Sequence, residues 1–201
     1  MTWIATVGFE AATGKLRQIY ERVAGPGNNV DNILMAHSLR PHTLEGHMHL
    51  YKYVLHHSGN KLPKHFLESI GVYVSLLNHC SYCVEHHFAG LTRLLNDAGR
   101  AQAIRSALER DAPDQAFSGR ELAALRYARK LTMQPAEVRE QDILDLREVG
   151  FEDGEILEIN QVTAYFGYAN RTVLGLGVST DGDILGLSPG DSSDAGNWSH
   201  G

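Results

Sequence analysis

Pro63-Lys64-His65-Phe66-Leu67-Glu68-Ser69-Ile70-Gly71-Val72-Tyr73-Val74-Ser75-Leu76-Leu77-Asn78 runs directly into His79-Cys80-Ser81-Tyr82-Cys83-Val84-Glu85-His86-His87. Pro63 suits a first helical turn, and Phe66, Ile70, Val74 and Leu77 recur every three or four residues. The spacing predicts a buried helix from Pro63 to about Asn78, with one carboxylate, Glu68, embedded in it. A second helix is expected from about Ser81 to Asn96. The only two cysteines of the 201-residue chain then fall in its first turns, three residues apart.

The same periodicity governs the flanks. Helices are expected from Gly14 to Val23, with Leu16, Ile19 and Tyr20 inward, from Val30 to Leu39, and from Pro41 to His57, with Leu44, Met48, Tyr51 and Leu55 on one stripe. Downstream they are expected at Arg100 to Arg110, Gly119 to Thr132, Arg139 to Val149 and Asp153 to Gly175. Val178 to Leu187 is the one weak strand candidate. The small, polar run from Ser188 onward reads as a flexible tail, residues 188–201, after a single helical domain over residues 1–187. The fold class is all-α.

Composition narrows the function. A hydrophobic content of 43% and charged content of 21% fit a globular chain with a sizeable core. A net charge of -6 and the lack of any basic run argue against nucleic acid as a partner. No stretch reads as a signal peptide or a membrane span, so a cytoplasmic location is expected, with no membrane partner. In a reducing compartment a Cys-x-x-Cys pair is more often catalytic or metal-binding than a static staple.

At a helix N-terminus, unpaired N–H groups and the helix dipole favour a thiolate, so a depressed thiol pKa is expected, for Cys83 in particular. The spacing of three brings both sulfurs within reach of a disulfide. His87, four residues beyond Cys83, shares its helical face and can relay a proton, and Glu68 can orient and charge-balance His87. Other readings remain open on these residues: an inert buried pair, a zinc site using Cys80, Cys83, His87 and Glu68, or a redox-responsive binding module. A thioredoxin-like module is disfavoured, because its motif follows a strand in a βαβ unit.

Glu68, Cys80, Cys83 and His87, as Glu-x11-Cys-x2-Cys-x3-His, resemble the signature of the alkylhydroperoxidase D family within the carboxymuconolactone decarboxylase superfamily. Leu62-Pro63, Leu131-Thr132-x-x-Pro135, Gly150-Phe151 and Asn170-Arg171 extend the resemblance to its peroxidase-related branch. The resemblance implies an all-helical fold, a homo-oligomer, and reduction of hydrogen peroxide or organic hydroperoxides without haem, metal or other cofactor. It implies that Cys83 is the peroxidatic thiol and Cys80 the resolving one. Glu68 and His87 would form the proton relay, and an external dithiol would reduce the resulting disulfide. A lactone decarboxylase of the same superfamily is a weaker alternative, since that branch does not depend on the cysteine pair. The chain departs from the family in one respect: Tyr82 stands where the best-described members carry a second relay histidine. A phenol is a poor base near neutral pH, which leaves His79 and His86 as possible accessories.

Other features carry less. His42, His49 and His56 recur every seven residues and are expected on one solvated or interface face; they lie too far apart to share a metal ion. Tyr165, Phe166 and Tyr168 read mainly as core. Gly25-Pro26-Gly27 is a turn and not a phosphate loop, and no Gly-x-Ser-x-Gly or His-Glu-x-x-His motif occurs.

Overall fold

Residues 2–186 are described by a computed structural model, and every regular element among them is helical. Nine α-helices follow in order among these residues: α1 (Gly14–Val23), α2 (Asn32–Ala36), α3 (Pro41–Leu55), α4 (Lys64–Leu77), α5 (Ser81–Leu95), α6 (Ala98–Glu109), α7 (Gly119–Met133), α8 (Glu140–Glu148) and α9 (Asp153–Leu176). None is long and apolar enough to cross a membrane. The expected tail, 188–201, lies outside the described residues.

α4 is the axis of the bundle. Its residues Phe66 to Ser75 are all buried, so it is enclosed on every side, chiefly by α5, α6, α7 and α9. Burial of side chains such as Phe66, Leu67 and Ile70 contributes roughly 1.5–3 kcal/mol each. Gly71 permits the close approach of α9: a Cβ there would lie 2.2 Å from the Phe166 ring. Asn170 fastens the same pair of helices, donating to Ser75 Oγ at 3.1 Å and accepting from Asn78 Nδ2 at 2.9 Å. A second core of Leu16, Ile19, Tyr20, Leu34, Leu44 and Met48 joins α1, α2 and α3.

The expected helices are present, with ends shifted by a few residues, at α2 and α6 for identifiable reasons. α2 is shorter than Val30 to Leu39 because Arg40 precedes a proline, which disfavours the helical region there; Arg40 sits at φ -140° and ψ 76°. α6 starts earlier than Arg100, since the Asp97 side chain accepts from the Arg100 N–H at 2.9 Å and sets the cap. The weak strand expectation is corrected. Residues 178–186 form a turn-rich strap, with Gly182 and Gly186 at positive φ. Polar side chains tie it to the bundle: Asn32 donates to the Ser179 and Asp181 carbonyls, and Arg93 to the Leu185 carbonyl.

The histidine face is also corrected. His42 and His49 are exposed, but His56 lies past the end of α3, buried against Tyr51 with ring centroids 4.8 Å apart. Helical periodicity does not extend to a residue that follows the last turn. His47, on the opposite side of α3, is buried, and burial with the neighbouring His37 pushes its pKa down to about 3.

Candidate active site

The connection between α4 and α5 is tight because its backbone leaves the helix in a left-handed residue, His79 at φ 56°. The Cys80 N–H returns to the Ser75 carbonyl at 2.8 Å, and the Cys80 carbonyl starts α5 by accepting from the Val84 N–H at 3.1 Å. Cys80 is thus the N-cap of α5 and Cys83 lies in its first turn. Both are free thiols and both are buried.

The two thiols are hydrogen-bonded to one another, and the pair is asymmetric in a sense opposite to the sequence expectation. The Cys83 thiol and the Cys83 backbone N–H both point at the Cys80 sulfur, and with help from Asn170 they lower the Cys80 pKa against the penalty of burial. Cys83 is the donor in that bond, and the charge it would have to share with Cys80, together with burial, pushes its pKa up. The helix N-terminus does favour a thiolate, but it favours the one at the cap position.

His87 Nδ1 lies 2.7 Å from Glu68 Oε2, the carboxylate carried into the core by α4 and only 3% exposed. With Nδ1–H donated to Glu68, Nε2 is the ring nitrogen left for proton transfer. The imidazole is wedged edge-on against Phe166, with ring centroids 4.5 Å apart. Cys83, His87 and Glu68 all line one cavity of about 90 Å³, whose walls also include Leu34, Met48, Tyr51 and Tyr165. That volume accommodates several waters or a small substrate. Cys80, fully buried, does not line it.

The accessory candidates separate. His79 is exposed and makes no contribution to the cavity. Tyr82 and His86 are in the cavity wall, held by a residue that the sequence does not single out. Asp183, from the strap, accepts from Tyr82 Oη at 2.6 Å and lies 3.1 Å from His86 Nε2. Tyr82 Oη in turn accepts from the Ile33 N–H at 3.1 Å, and burial with the nearby Asp183 charge drives its pKa far up. Its phenol is therefore a fixed donor to Asp183 and not a proton relay. Asp31 and His47 are two further polar residues of the cavity that carry no sequence signal. Among the described residues, no group of three or more His, Cys, Asp or Glu is arranged to hold a metal ion.

Residues 41–130 match the model of the carboxymuconolactone decarboxylase family. No curated protein matches the chain. A crystal structure described as an alkylhydroperoxidase core, a peroxidase-related protein from Ralstonia eutropha JMP134, is 26% identical. It covers 89% of this chain and 92% of its own with a TM-score of 0.77. A peroxidase-related protein from Silicibacter sp. TM1040 is 28% identical over 81% of this chain and 83% of its own, with a TM-score of 0.70. A debrominase shares the fold alone, at 18% identity and a TM-score of 0.64 over 92% of this chain and 89% of its own. The family match covers α3 to α7, just under half of the chain, and with the shared helical fold it supports a likeness to the alkylhydroperoxidase D-like proteins of the carboxymuconolactone decarboxylase superfamily.

Proposed function

We propose that this protein is a thiol-dependent peroxidase that reduces hydroperoxides through Cys83, Cys80, His87 and Glu68. The observation that carries the reading is that Cys83 opens onto a cavity beside a histidine–carboxylate pair, with a second thiol bonded behind it. Cys83 passes its proton to His87 Nε2, and Glu68 stabilises the imidazolium that results. The thiolate attacks the distal oxygen of the hydroperoxide: a sulfur–oxygen bond forms, the O–O bond breaks, an alkoxide leaves, and Cys83 becomes a sulfenic acid.

The low pKa of Cys80 suits the next step. A thiolate at the helix cap attacks the sulfenic sulfur, expels hydroxide, which leaves as water once protonated, and forms the Cys80–Cys83 disulfide. When an external dithiol then attacks the cavity-facing sulfur of Cys83, the same low pKa makes Cys80 the better leaving group. Among the described residues neither Lys nor Arg lines the cavity, whereas Asp31 and Glu68 do, so an uncharged hydroperoxide is favoured over an anionic one. Assembly into a homo-oligomer belongs to the same proposal; Leu50 and Tyr53 on α3 and Leu157 and Leu174 on α9 offer exposed apolar contact area.

The test is consumption of tert-butyl hydroperoxide with a dithiol reductant, by wild type and Cys83→Ser. Wild type is expected to turn over and the variant to stop at background. Equal rates would sink the assignment.

A further inference from the structure

An Asp at a helix N-cap ordinarily accepts a backbone N–H of the first turn. Asp31 holds that position on α2, yet its side chain makes no cap bond. The carboxylate that takes the N–H of this turn is Asp183: the Asn32 N–H lies 3.0 and 3.2 Å from its two oxygens. Asp183 is fully committed, since it also accepts from Tyr82 and meets His86, and its side chain is 1% exposed. Relieved of capping, Asp31 lines the cavity together with Cys83, His86 and His87.

Reduction of an alkyl hydroperoxide makes two proton demands. One proton must leave the thiol before attack, and one must reach the alkoxide as the O–O bond breaks. The His87–Glu68 pair answers the first. We propose that Asp31 answers the second, as a further catalytic residue that donates its proton to the departing alkoxide oxygen, with Asp183 as its positioning residue. The proposal rests on the peroxidase reading above. Atoms and charge balance: Cys83 loses its proton to His87, the leaving alkoxide takes the proton of Asp31 and departs as an alcohol, and the His87 imidazolium returns a proton to Asp31. Sulfur is oxidised by two electrons and the peroxide is reduced by the same two.

The surroundings favour a protonated Asp31. Burial raises its pKa first, the Asp183 charge adds to that, and His86 and His87 oppose it, for a value of about 6. Glu68 from α4, Tyr82 from α5 and Tyr51 and His47 from α3 are the other polar groups facing the same cavity. A carboxyl that titrates near neutrality is matched to proton donation at neutral pH.

The experiment is a single turnover of reduced protein without dithiol, following Cys80–Cys83 disulfide formation for wild type, Asp31→Asn and Asp31→Glu. Two oxidants are used, tert-butyl hydroperoxide and peracetic acid. The alkoxide leaving group needs a proton; acetate does not. Asp31→Asn is expected to be slowed by about 100-fold with the hydroperoxide. It should match wild type with the peracid and in alkylation of Cys83 by iodoacetamide. Asp31→Glu should recover part of the loss. Equal hydroperoxide rates for wild type and Asp31→Asn, or an equal loss with both oxidants, would overturn the role of Asp31 while leaving the peroxidase reading intact. Wild type inert toward both oxidants would overturn that reading and this one with it.

Discussion

His86 and His87 are neighbours in the chain, both line the same cavity and each meets a carboxylate, but the two pairs are built differently. Glu68 reaches His87 from α4, out of a helix buried along most of its length. Asp183 reaches His86 from a strap with no regular structure. The first pair is held by the packing of two core helices and cannot move unless the bundle opens. The second depends on hydrogen bonds from Asn32 and Tyr82, and on the path of a short loop. Under the proposed mechanism the rigid pair would take the proton removed from the thiol, while the loop-held pair would keep Asp31 free to serve the leaving group.

The sharpest way to break this comparison is at Glu68. Glu68→Gln keeps the size of the side chain but removes the charge that stabilises a His87 imidazolium. Peroxidase turnover is expected to fall about 100-fold, with little change in affinity for substrate. Steady-state kinetics checks this; a loss confined to KM would mean that Glu68 shapes the pocket and does not act through His87.

The two pairs also differ in how far the sequence exposes them. Glu68, Cys80, Cys83 and His87 lie within two successive helices, so helical spacing by itself places them on facing surfaces. The bundle is legible for the same reason: apolar stripes at three and four residues encode helices that must pack together. Asp183 is different. Nothing in a loop sequence fixes a side chain to a helix N-terminus 151 residues away in the chain. Asp31 reads as an ordinary cap residue, and only the folded chain reveals another carboxylate taking that task. The order of the thiol acidities is hidden from sequence because the dipole argument treats both cysteines alike. The backbone gives the cap position to Cys80 and makes Cys83 its donor. Asn170 has a weak signal, a buried amide within the apolar face of α9.

The second prediction sharpens the contrast through stability. Asp31 titrates near 4 in an unfolded chain and at about 6 in the folded protein. The native state therefore keeps a proton that the unfolded state has released between those values, and stability falls as pH rises through this window. Below about pH 4 the penalty is absent. Asp31→Asn removes it, so at about pH 8 the variant should be more stable than wild type, by at most about 2 kcal/mol after allowance for partial exposure, and no different in acid. Urea denaturation at both pH values checks this. A variant that is slower with hydroperoxide yet more stable would be the trade expected of a functional carboxyl held in an unfavourable setting.

The smallest expected effect falls on the strap itself. Asp183→Ala deletes the cap of α2 and the acceptor for Tyr82 and His86. Several hydrogen bonds to a buried charge are at stake, yet the global cost should be only about 1 kcal/mol, because a loop can open locally and hydrate the groups it leaves behind. The loss should therefore appear in amide exchange before it appears in melting: faster exchange over residues 178–186 and α2, with α4 and α5 unchanged. Removing the Asp183 charge also removes one of the influences that raise the Asp31 pKa. The alkaline decline of peroxidase activity should accordingly begin at lower pH in Asp183→Ala than in wild type. If exchange instead quickens equally in α4 and α5, the strap is part of the core, and the contrast between a rigid and an adjustable pair fails.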